Sequence, residues 1–196
     1  MIAVIQYDAG NTGSVLHAIR HLGYSAILTN DPDTLREADR VIFPGVGHAE
    51  KAMNKLVQKG LDRVIPQLTN PFLGICLGMQ LLGKHSEEGD VPTLHILPFI
   101  TRAFQVELPV PHMGWNQVKA EQSQMGIGHF YFVHSYYVPI GPWTQWVSEY
   151  PHSFSAGIAH QNFFGVQFHP EKSGTAGLQL LQNFLSSCKL FPPSIS

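Results

Sequence analysis

Cys76 is the residue with the clearest capacity for covalent chemistry, and glycines flank it in the segment Gly74-Ile-Cys-Leu-Gly78. An apolar, strand-like run at 72–76 leads into this segment, and a helical pattern at 77–82 follows it. Such a nucleophile elbow, a sharp turn from strand to helix, lifts the nucleophile above the sheet, because glycines let the backbone pass without clashes. The helix N-terminus favours the thiolate, and the backbone N–H of Leu77 can point at a developing oxyanion. The alternative is an inert, buried structural cysteine.

His169 and Glu171 could supply the base that this nucleophile needs, and they follow an apolar, strand-like run at 162–168. Residues i and i+2 of an extended segment point to the same side, and Pro170 should keep the intervening backbone extended. We therefore expect His169 to act as general base toward Cys76, with Glu171 orienting its imidazole. Alone, a His-x-Glu segment is more typical of a structural histidine beside a solvated glutamate. The elbow cysteine in the same chain favours catalysis.

The scaffold for these residues is predicted from the hydrophobic pattern. In the first half, strand-like runs at 2–6, 25–28, 41–43 and 72–76 alternate with helical patterns around 15–22, 53–57 and 77–82. That alternation predicts a parallel sheet with right-handed crossovers. From 94 to 168 the chain is rich in Val, Phe, Tyr and Trp, broken by Pro, Gly and Asn, which predicts antiparallel strands. A closing helix is predicted at 176–188, with one apolar face formed by Leu178, Leu181 and Leu185.

Length, net charge and the fraction of charged residues limit the kinds of protein that this chain can be. The 196 residues fit one domain, predicted at 1–190, followed by a loose tail at 191–196. The net charge of −2 provides no basic surface for nucleic acid. Charged residues make up 13%, about half of the roughly 25% usual in soluble domains, so a partner interface is plausible.

The cysteines, the apolar runs and two histidines indicate the cellular compartment of the protein and whether it binds a metal. Cys76 and Cys188 lie in unlike contexts, which indicates a reducing cytosol and not a disulfide framework. No apolar run approaches the ~18 residues of a membrane span, and no basic start suggests a signal peptide. The sequence thus predicts a soluble, cytoplasmic protein without a membrane contact. His17 and His21 share a helix face, but no carboxylate or cysteine is in register with them, so we predict no metal and no cofactor.

Five segments resemble those of class I (triad) glutamine amidotransferases. The elbow, Gly74-Ile-Cys-Leu-Gly-Met-Gln80, and Gly165-Val-Gln-Phe-His-Pro-Glu-Lys-Ser173 mark the wider class. Three more resemble the family of glutaminase subunits of imidazole glycerol phosphate synthases, from histidine biosynthesis: Pro44-Gly-Val-Gly47, Pro111-His-Met-Gly-Trp-Asn116 and Tyr131-Phe-Val-His-Ser-Tyr136. The similarity runs from residue 2 to about residue 185, and the segment 111–116 is the most specific to this subunit.

The resemblance implies a fold and a reaction. The fold would be flavodoxin-like, a mostly parallel central sheet with added antiparallel strands, flanked by helices. Cys76 would attack the side-chain amide of glutamine and form a thioester. His169 would pass a proton to the leaving ammonia and then activate water, held by Glu171. The ammonia would go to a (β/α)₈-barrel cyclase subunit, the partner in a heterodimer, which joins it to a phosphoribulosyl carboxamide intermediate.

The resemblance also implies the remaining site residues. The oxyanion would be bound by backbone N–H groups of Leu77 and of the segment Gly45, Val46 and Gly47. Glutamine would be held by Gly47, Gln80, His134, Ser135 and Tyr136, and the partner would contact Trp115 and Asn116. Considered alone, the same residues could form a plain turn, a surface glutamine, a structural histidine and a core tryptophan.

Other functions remain open at this point. The segment Asp8-Ala-Gly-Asn-Thr-Gly-Ser14 is shorter than the corresponding family run, and residues 87–98 also look short. One alternative is a class I amidotransferase of another pathway, such as vitamin B6 or purine synthesis, against which the segment 111–116 argues. Another is a non-catalytic binding subunit of the same fold. A third is a thiol peptidase or hydrolase on a similar sheet.

Overall fold

The computed structural model describes residues 1–7, 12–105, 109–122 and 126–187. The predicted tail at 191–196, Cys188 and residues 8–11 of the shortened segment lie outside the described residues. In the part that is described, no helix is long and apolar enough to cross a membrane.

The first half of the chain forms the parallel part of the sheet, as the alternating pattern predicted. Its elements are β1 Ile2–Ile5, α1 Thr12–His21, β2 Ala26–Thr29, α2 Pro32–Glu37, β3 Arg40–Phe43, α3 Ala49–Gln58, α4 Leu61–Val64, β4 Phe72–Ile75 and α5 Leu77–Gln80. Strand β1 pairs in parallel with β2 and β3, and β3 pairs in parallel with β4. Helix α5 is shorter than the pattern at 77–82 suggested.

The second half supplies the remaining strands, most of which pair antiparallel, as predicted for residues 94–168. They are β5 His85–Ser86, β6 Val91–Pro92, β7 Ile100–Ala103, β8 His112–Ala120, β9 Gly126–His134, β10 Tyr136–Tyr137, β11 Thr144–Glu149, β12 Ser153–His160 and β13 Phe163–Val166, followed by α6 Gly174–Ser187. The main sheet has nine strands in the order β2-β1-β3-β4-β13-β12-β11-β8-β9. A second sheet of four strands has the order β10-β7-β5-β6.

Strand β13 joins the two halves of the main sheet. It pairs in parallel with β4 and antiparallel with β12, so its register aligns Val166 with Ile75. Since Ile75 precedes Cys76 and Val166 is three residues before His169, the segments that carry Cys76 and His169 leave the sheet side by side. The carboxyl ends of adjacent parallel strands are where active sites form in such sheets.

Two hydrophobic clusters cover the two faces of the sheet. One contains Leu56 of α3 with Ala3 and Phe43, and the other contains Ile19 of α1 with Val4 and Leu181 of α6. Successive residues of a strand alternate between the faces, which explains why neighbouring strand residues fall in different clusters.

Two apolar residues of the predicted helical patterns are less buried than their neighbours. Val57 is 57% exposed on α3, because Leu56 fills the buried position and its neighbour is turned away. Leu178 is only partly buried, although Leu181 and Leu185 of the same helix are core residues, as predicted.

Candidate active site

The nucleophile elbow is present and its backbone is strained. Cys76 follows β4 and has φ 52° and ψ −108°, a conformation that side-chain-bearing residues rarely adopt. Its backbone N–H donates to the carbonyl of Val166 at 2.7 Å, and its own carbonyl accepts from the N–H groups of Met79 and Gln80. These hydrogen bonds keep Cys76 in its strained backbone conformation at the start of α5. Strain of this kind is retained at functional sites, where the surrounding structure overdetermines it.

The glycines around Cys76 are required by close backbone packing. A Cβ at Gly74 would lie 2.5 Å from the carbonyl oxygen of Gly78, and a Cβ at Gly78 would collide with the carbonyl oxygen of Phe43. A Cβ at Gly45 would lie 2.7 Å from the Cβ of Leu77. The segment predicted to complete the oxyanion site is therefore in contact with the elbow.

Replacing Gly78 with alanine is expected to lower the free energy of unfolding by about 3 kcal/mol, because a rigid backbone atom occupies the space of the new methyl group. Urea denaturation measures the change. The matched control is Gly126→Ala, since a Cβ there meets only the end of the Gln117 side chain. Equal, small effects at both positions would show that the elbow has room to adjust.

His169 and Glu171 form a buried pair, as predicted, but the backbone between them is not extended. The Nδ1 atom of His169 lies 2.8 Å from Oε1 of Glu171, and the side chains are 1% and 2% exposed. The expectation of an extended i, i+2 segment was wrong, because residues Pro170–Lys172 form a 3₁₀ turn. Proline suits the first position of such a turn, where no N–H donor is needed.

The pKa of His169 is shifted in the direction that a catalytic pair requires. Burial lowers it, but the negative charge of Cys76 and the carboxylate of Glu171 outweigh burial and raise the pKa to about 10. His169 is then an imidazolium at neutral pH. Its Nδ1–H is donated to Glu171, so the longer side-chain contact with Cys76 that also raises the pKa is left to the buried Nε2. The Nε2 proton therefore faces the sulfur.

A cavity of about 280 Å³ opens beside Cys76. It contains almost all the residues predicted to bind glutamine or its oxyanion, and the lining is Val46, Gly47, Cys76, Leu77, Gln80, Glu88, Pro111, Val133, His134, Ser135 and Tyr136. Gly45 is not part of the lining, although it packs against Leu77. The sequence missed Glu88, Pro111 and Val133 as lining residues.

Gln80 is buried, and its amide group is already engaged. Its Nε2 donates to the carbonyl of Tyr136 at 2.9 Å and to Oε1 of Gln167 at 3.0 Å. An amide nitrogen has two protons, and both are donated to these protein groups. In any hydrogen bond between Gln80 and a substrate, the side-chain carbonyl oxygen of Gln80 must therefore be the acceptor.

His134 can offer only its backbone groups to a ligand in the cavity, because both of its ring nitrogens already form hydrogen bonds within the protein. Nδ1 lies 2.8 Å from the carbonyl of Tyr136, so it must donate, and Nε2 accepts from Nδ1 of His112 at 3.0 Å. The remaining nitrogen of His112 accepts from Nδ2 of Asn116 at 3.2 Å. Burial lowers the pKa of His112 to about 4 and that of His134 to about 3, so both rings are neutral. This hydrogen-bond chain leads from Asn116 to the glutamine cavity.

Glu88 is the functional candidate that sequence analysis missed most clearly. It is half-buried, it lines the cavity, and its Oε2 accepts from the N–H of Ala49 at the start of α3, at 2.7 Å. Burial raises its pKa, while the bond from Ala49 and the charge of His48 act in the opposite direction. No local pattern marks it, because tertiary packing brings residue 88 to the cavity.

Trp115 is a surface residue, so the alternative of a core tryptophan is wrong. Its side chain is 59% exposed, and Met113 on the same face of β8 is 62% exposed. The ring lies beside Gly174, where an added Cβ would be 3.9 Å from it, and Gly174 is three residues after Glu171. Trp115 and Met113 form an exposed apolar patch on β8, the β8 patch, and its tryptophan lies beside the segment that follows Glu171. Asn116 is partly buried on the other face of the strand, where its Nδ2 donates to the carbonyl of Glu149.

No metal site accompanies these groups in residues 1–7, 12–105, 109–122 and 126–187. Within those ranges no cluster of three or more histidine, cysteine, aspartate or glutamate side chains could hold a metal ion.

Solved structures share the fold. A structure described as a glutamine amidotransferase superimposes with a TM-score of 0.73 at 16% identity, covering 94% of this chain and 98% of that one. The PurLQS structure from Thermotoga maritima gives a TM-score of 0.68 at 18% identity, covering 96% and 98%. At these identities the likeness concerns the fold alone.

Sequence comparison identifies the family. The profile described as glutamine amidotransferase class-I matches residues 3–188. Imidazole glycerol phosphate synthase subunit HisH from Bacteroides fragilis is 47% identical over 192 residues, covering 94% of this chain and 98% of that protein. The subunits of the same name from Idiomarina loihiensis and Staphylococcus epidermidis are 45% and 41% identical, each covering 94% of this chain and 96% of the relative. The chain therefore belongs to the class I glutamine amidotransferase family and, within it, to the HisH subunits of imidazole glycerol phosphate synthase.

Proposed function

We propose that this chain is a glutaminase subunit that releases ammonia from glutamine at Cys76 and passes it to a cyclase subunit of imidazole glycerol phosphate synthase. The observation that supports this most strongly is the buried His169–Glu171 pair beside a strained elbow cysteine at a cavity. The names of the relatives support the pathway. The partner would be a (β/α)₈ barrel, and the complex a heterodimer in the cytoplasm.

The first half of the reaction forms a thioester. The Cys76 sulfur attacks the amide carbon of glutamine, and the carbonyl oxygen becomes an oxyanion held by N–H groups of Leu77 and of the segment 45–47. One such donor stabilises the transition state by roughly 3–4 kcal/mol. The Nε2 proton of His169 goes to the amide nitrogen, the carbon–nitrogen bond breaks, and ammonia leaves.

The second half releases glutamate. Neutral His169 takes a proton from water at Nε2, and the resulting hydroxide attacks the thioester carbon. The tetrahedral intermediate collapses, the carbon–sulfur bond breaks, and the sulfur leaves as a thiolate beside the imidazolium. Glu171 keeps the imidazole ring oriented in both halves.

Glu88 is suited to the α-ammonium group of glutamine, because among the described residues that line the cavity it is the only carboxylate. Glu88→Gln should raise the KM for glutamine roughly tenfold or more, through loss of a charge-assisted hydrogen bond, and change kcat little. Steady-state kinetics of the complex measure both constants. Glu87→Gln is the control, since Glu87 is an exposed neighbour that does not line this cavity. An unchanged KM in Glu88→Gln would remove Glu88 from the binding site.

The β8 patch is the proposed docking surface for the cyclase subunit. Ammonia must leave the triad without meeting bulk water, where it would be protonated, so the partner should cover this end of the sheet. The exposed Trp115 beside Gly174 is close enough to the triad to take part, and tryptophan is enriched at interface hot spots.

Trp115→Ala should weaken association with the cyclase subunit by about 2 kcal/mol, roughly 30-fold in Kd, and change the stability of the free chain by less than about 0.5 kcal/mol. Calorimetric titration and thermal melting measure the two effects. Val57→Ala removes a comparably exposed apolar side chain from α3 and should leave the Kd unchanged. Normal binding by a strongly destabilised Trp115→Ala chain would contradict the assignment.

The function is tested by reconstitution with the cyclase subunit from the same organism. The mixture should convert glutamine and the carboxamide intermediate into one glutamate for each imidazole glycerol phosphate. Glutamine hydrolysis without association, or association without hydrolysis, would contradict the proposal. The second result would instead support a non-catalytic binding subunit.

A further inference from the structure

Gln167 is a buried polar residue in direct contact with the nucleophile. Its side chain is 0% exposed, and its Nε2 lies 3.6 Å from the sulfur of Cys76. Its Oε1 accepts from Nε2 of Gln80 at 3.0 Å. The amide of Gln167 thus bridges the reacting atom and a residue of the glutamine cavity. Burying an amide is favourable only when both of its ends are paired, and both ends of this one are.

The orientation of the Gln167 amide follows from the hydrogen-bond chain. The carbonyl of Tyr136 can only accept, so the atom of Gln80 that contacts it must be the amide nitrogen. The second proton of that nitrogen then requires an acceptor, which is Oε1 of Gln167. The other end of the Gln167 amide, which faces Cys76, is therefore an N–H donor.

The neighbours of the sulfur favour opposite protonation states. The carbonyl of Val133 is 3.8 Å from the sulfur and can accept an S–H proton, so this contact favours the neutral thiol. The N–H of Gln167 can only donate, and a donor binds a thiolate more strongly than a thiol, because the acceptor carries a full charge. Of these two contacts, the one from Gln167 is therefore the one that favours the thiolate form of Cys76.

We propose that Gln167 is a positioning residue of the amide-cleaving site, which stabilises the Cys76 thiolate through its N–H and fixes the side chain of Gln80 at the glutamine cavity. This inference rests on the proposed glutaminase function. It adds a donor to the nucleophile that is separate from the imidazolium of His169 and from the backbone N–H groups that bind the oxyanion.

Other titratable groups near the sulfur are unchanged by a substitution at Gln167. Tyr7, at the end of β1, interacts electrostatically with Cys76, and its own pKa is raised by burial and by that charge. His169 faces Cys76 from the turn after β13, with Glu171 behind it, and His134 of β9 interacts with His169. A change in the titration of Cys76 that follows an uncharged substitution at residue 167 therefore reports on the amide.

The test is the pH dependence of Cys76 alkylation by iodoacetamide in the full-length chain, with Cys188→Ala as background so that one thiol reacts. Gln167→Met removes the donor at similar volume and should move the alkylation midpoint up by about one to two pH units, the shift that loss of a hydrogen bond to a charged group produces. Gln167→Glu keeps the acceptor for Gln80 but places a carboxylate oxygen against the sulfur. Loss of the donor and the added negative charge both oppose the thiolate, so its midpoint should rise at least as far.

Gln182→Met is the matched control. It removes a partly buried glutamine of α6 that donates to the hydroxyl of Tyr24. Residue 182 is far from the elbow in sequence, so the midpoint should be unchanged. Midpoints within about 0.3 pH units of wild type in both Gln167 variants would overturn the proposal. Alkylation needs no glutamine, so a complex without glutaminase activity would refute the proposed function and leave this measurement intact.

A measurement on the unsubstituted side chain covers the case in which neither variant folds. The side-chain amide ¹⁵N and ¹H resonances of Gln167 should shift with pH at the midpoint that alkylation gives for Cys76, because the thiolate polarises the donor. Resonances that do not change across that midpoint would overturn the proposal, whatever the variants do.

Discussion

Replacing Cys76 with alanine is expected to abolish glutamine-dependent synthesis in the complex with the cyclase subunit, while synthesis from added ammonium continues. Removing a nucleophile leaves only the binding and oxyanion groups, so the glutamine-dependent rate should fall by roughly four orders of magnitude or more. The cyclase reaction itself needs only ammonia. Product formation with each nitrogen source, at one protein concentration, measures the difference.

The control for this change is the other cysteine. Cys188→Ala should retain the glutamine-dependent rate within about twofold, since Cys188 belongs to none of the segments predicted to form the site. Loss of both the glutamine-dependent and the ammonium-dependent rates in an intact Cys76→Ala complex would contradict a role as ammonia donor.

The second large effect concerns His169 and Glu171. His169→Ala should lower the glutamine-dependent rate nearly as far as loss of the nucleophile. The rate of Glu171→Gln should be roughly one to two orders of magnitude higher than that of His169→Ala. The double variant should be about as slow as His169→Ala alone, because a carboxylate that only orients the ring has no role once the ring is absent. Rates that fall as the product of the single losses would mean that the pair does not act as a unit.

The same pair predicts a change in the pH dependence of stability. The pKa of folded His169 is raised from 6.5 to about 10, so the stabilisation from its protonated form is complete below pH 6.5 and is lost as the pH rises toward 10. Glu171→Gln removes one cause of the raised pKa. The free energy of unfolding should therefore decline less steeply across this range in the variant than in wild type, as measured by urea denaturation at several pH values.

Local sequence predicted the parts of the site that depend on adjacent residues. The elbow around Cys76 follows from flanking glycines, and the structure shows that Gly74 and Gly78 leave no space for a side chain. The contact between His169 and Glu171 was predicted correctly from their spacing, but through the wrong backbone, because the sequence does not distinguish an extended proline from one that begins a 3₁₀ turn.

Of the residues that the sequence analysis missed, only Gln167 had a local signal. Gln167 precedes His169 by two residues, and the strand alternation already used for His169 could have found it, since both side chains reach Cys76. Glu88 and His112 had no such signal. Glu88 reaches the cavity beside α3, and His112 joins the site only through its pairing with β9. Trp115 was expected at a surface because of the resemblance alone, and its exposure agrees.

Transfer of the nitrogen atom is the most direct test of the central claim. The complex is supplied with glutamine labelled with ¹⁵N at the side-chain amide, together with an equal concentration of unlabelled ammonium and the carboxamide intermediate. If ammonia passes from Cys76 to the cyclase subunit without entering bulk water, mass spectrometry should find one ¹⁵N atom in the imidazole ring of almost every product molecule. Product that carries mostly unlabelled nitrogen would contradict the account, because its nitrogen would have come from solution.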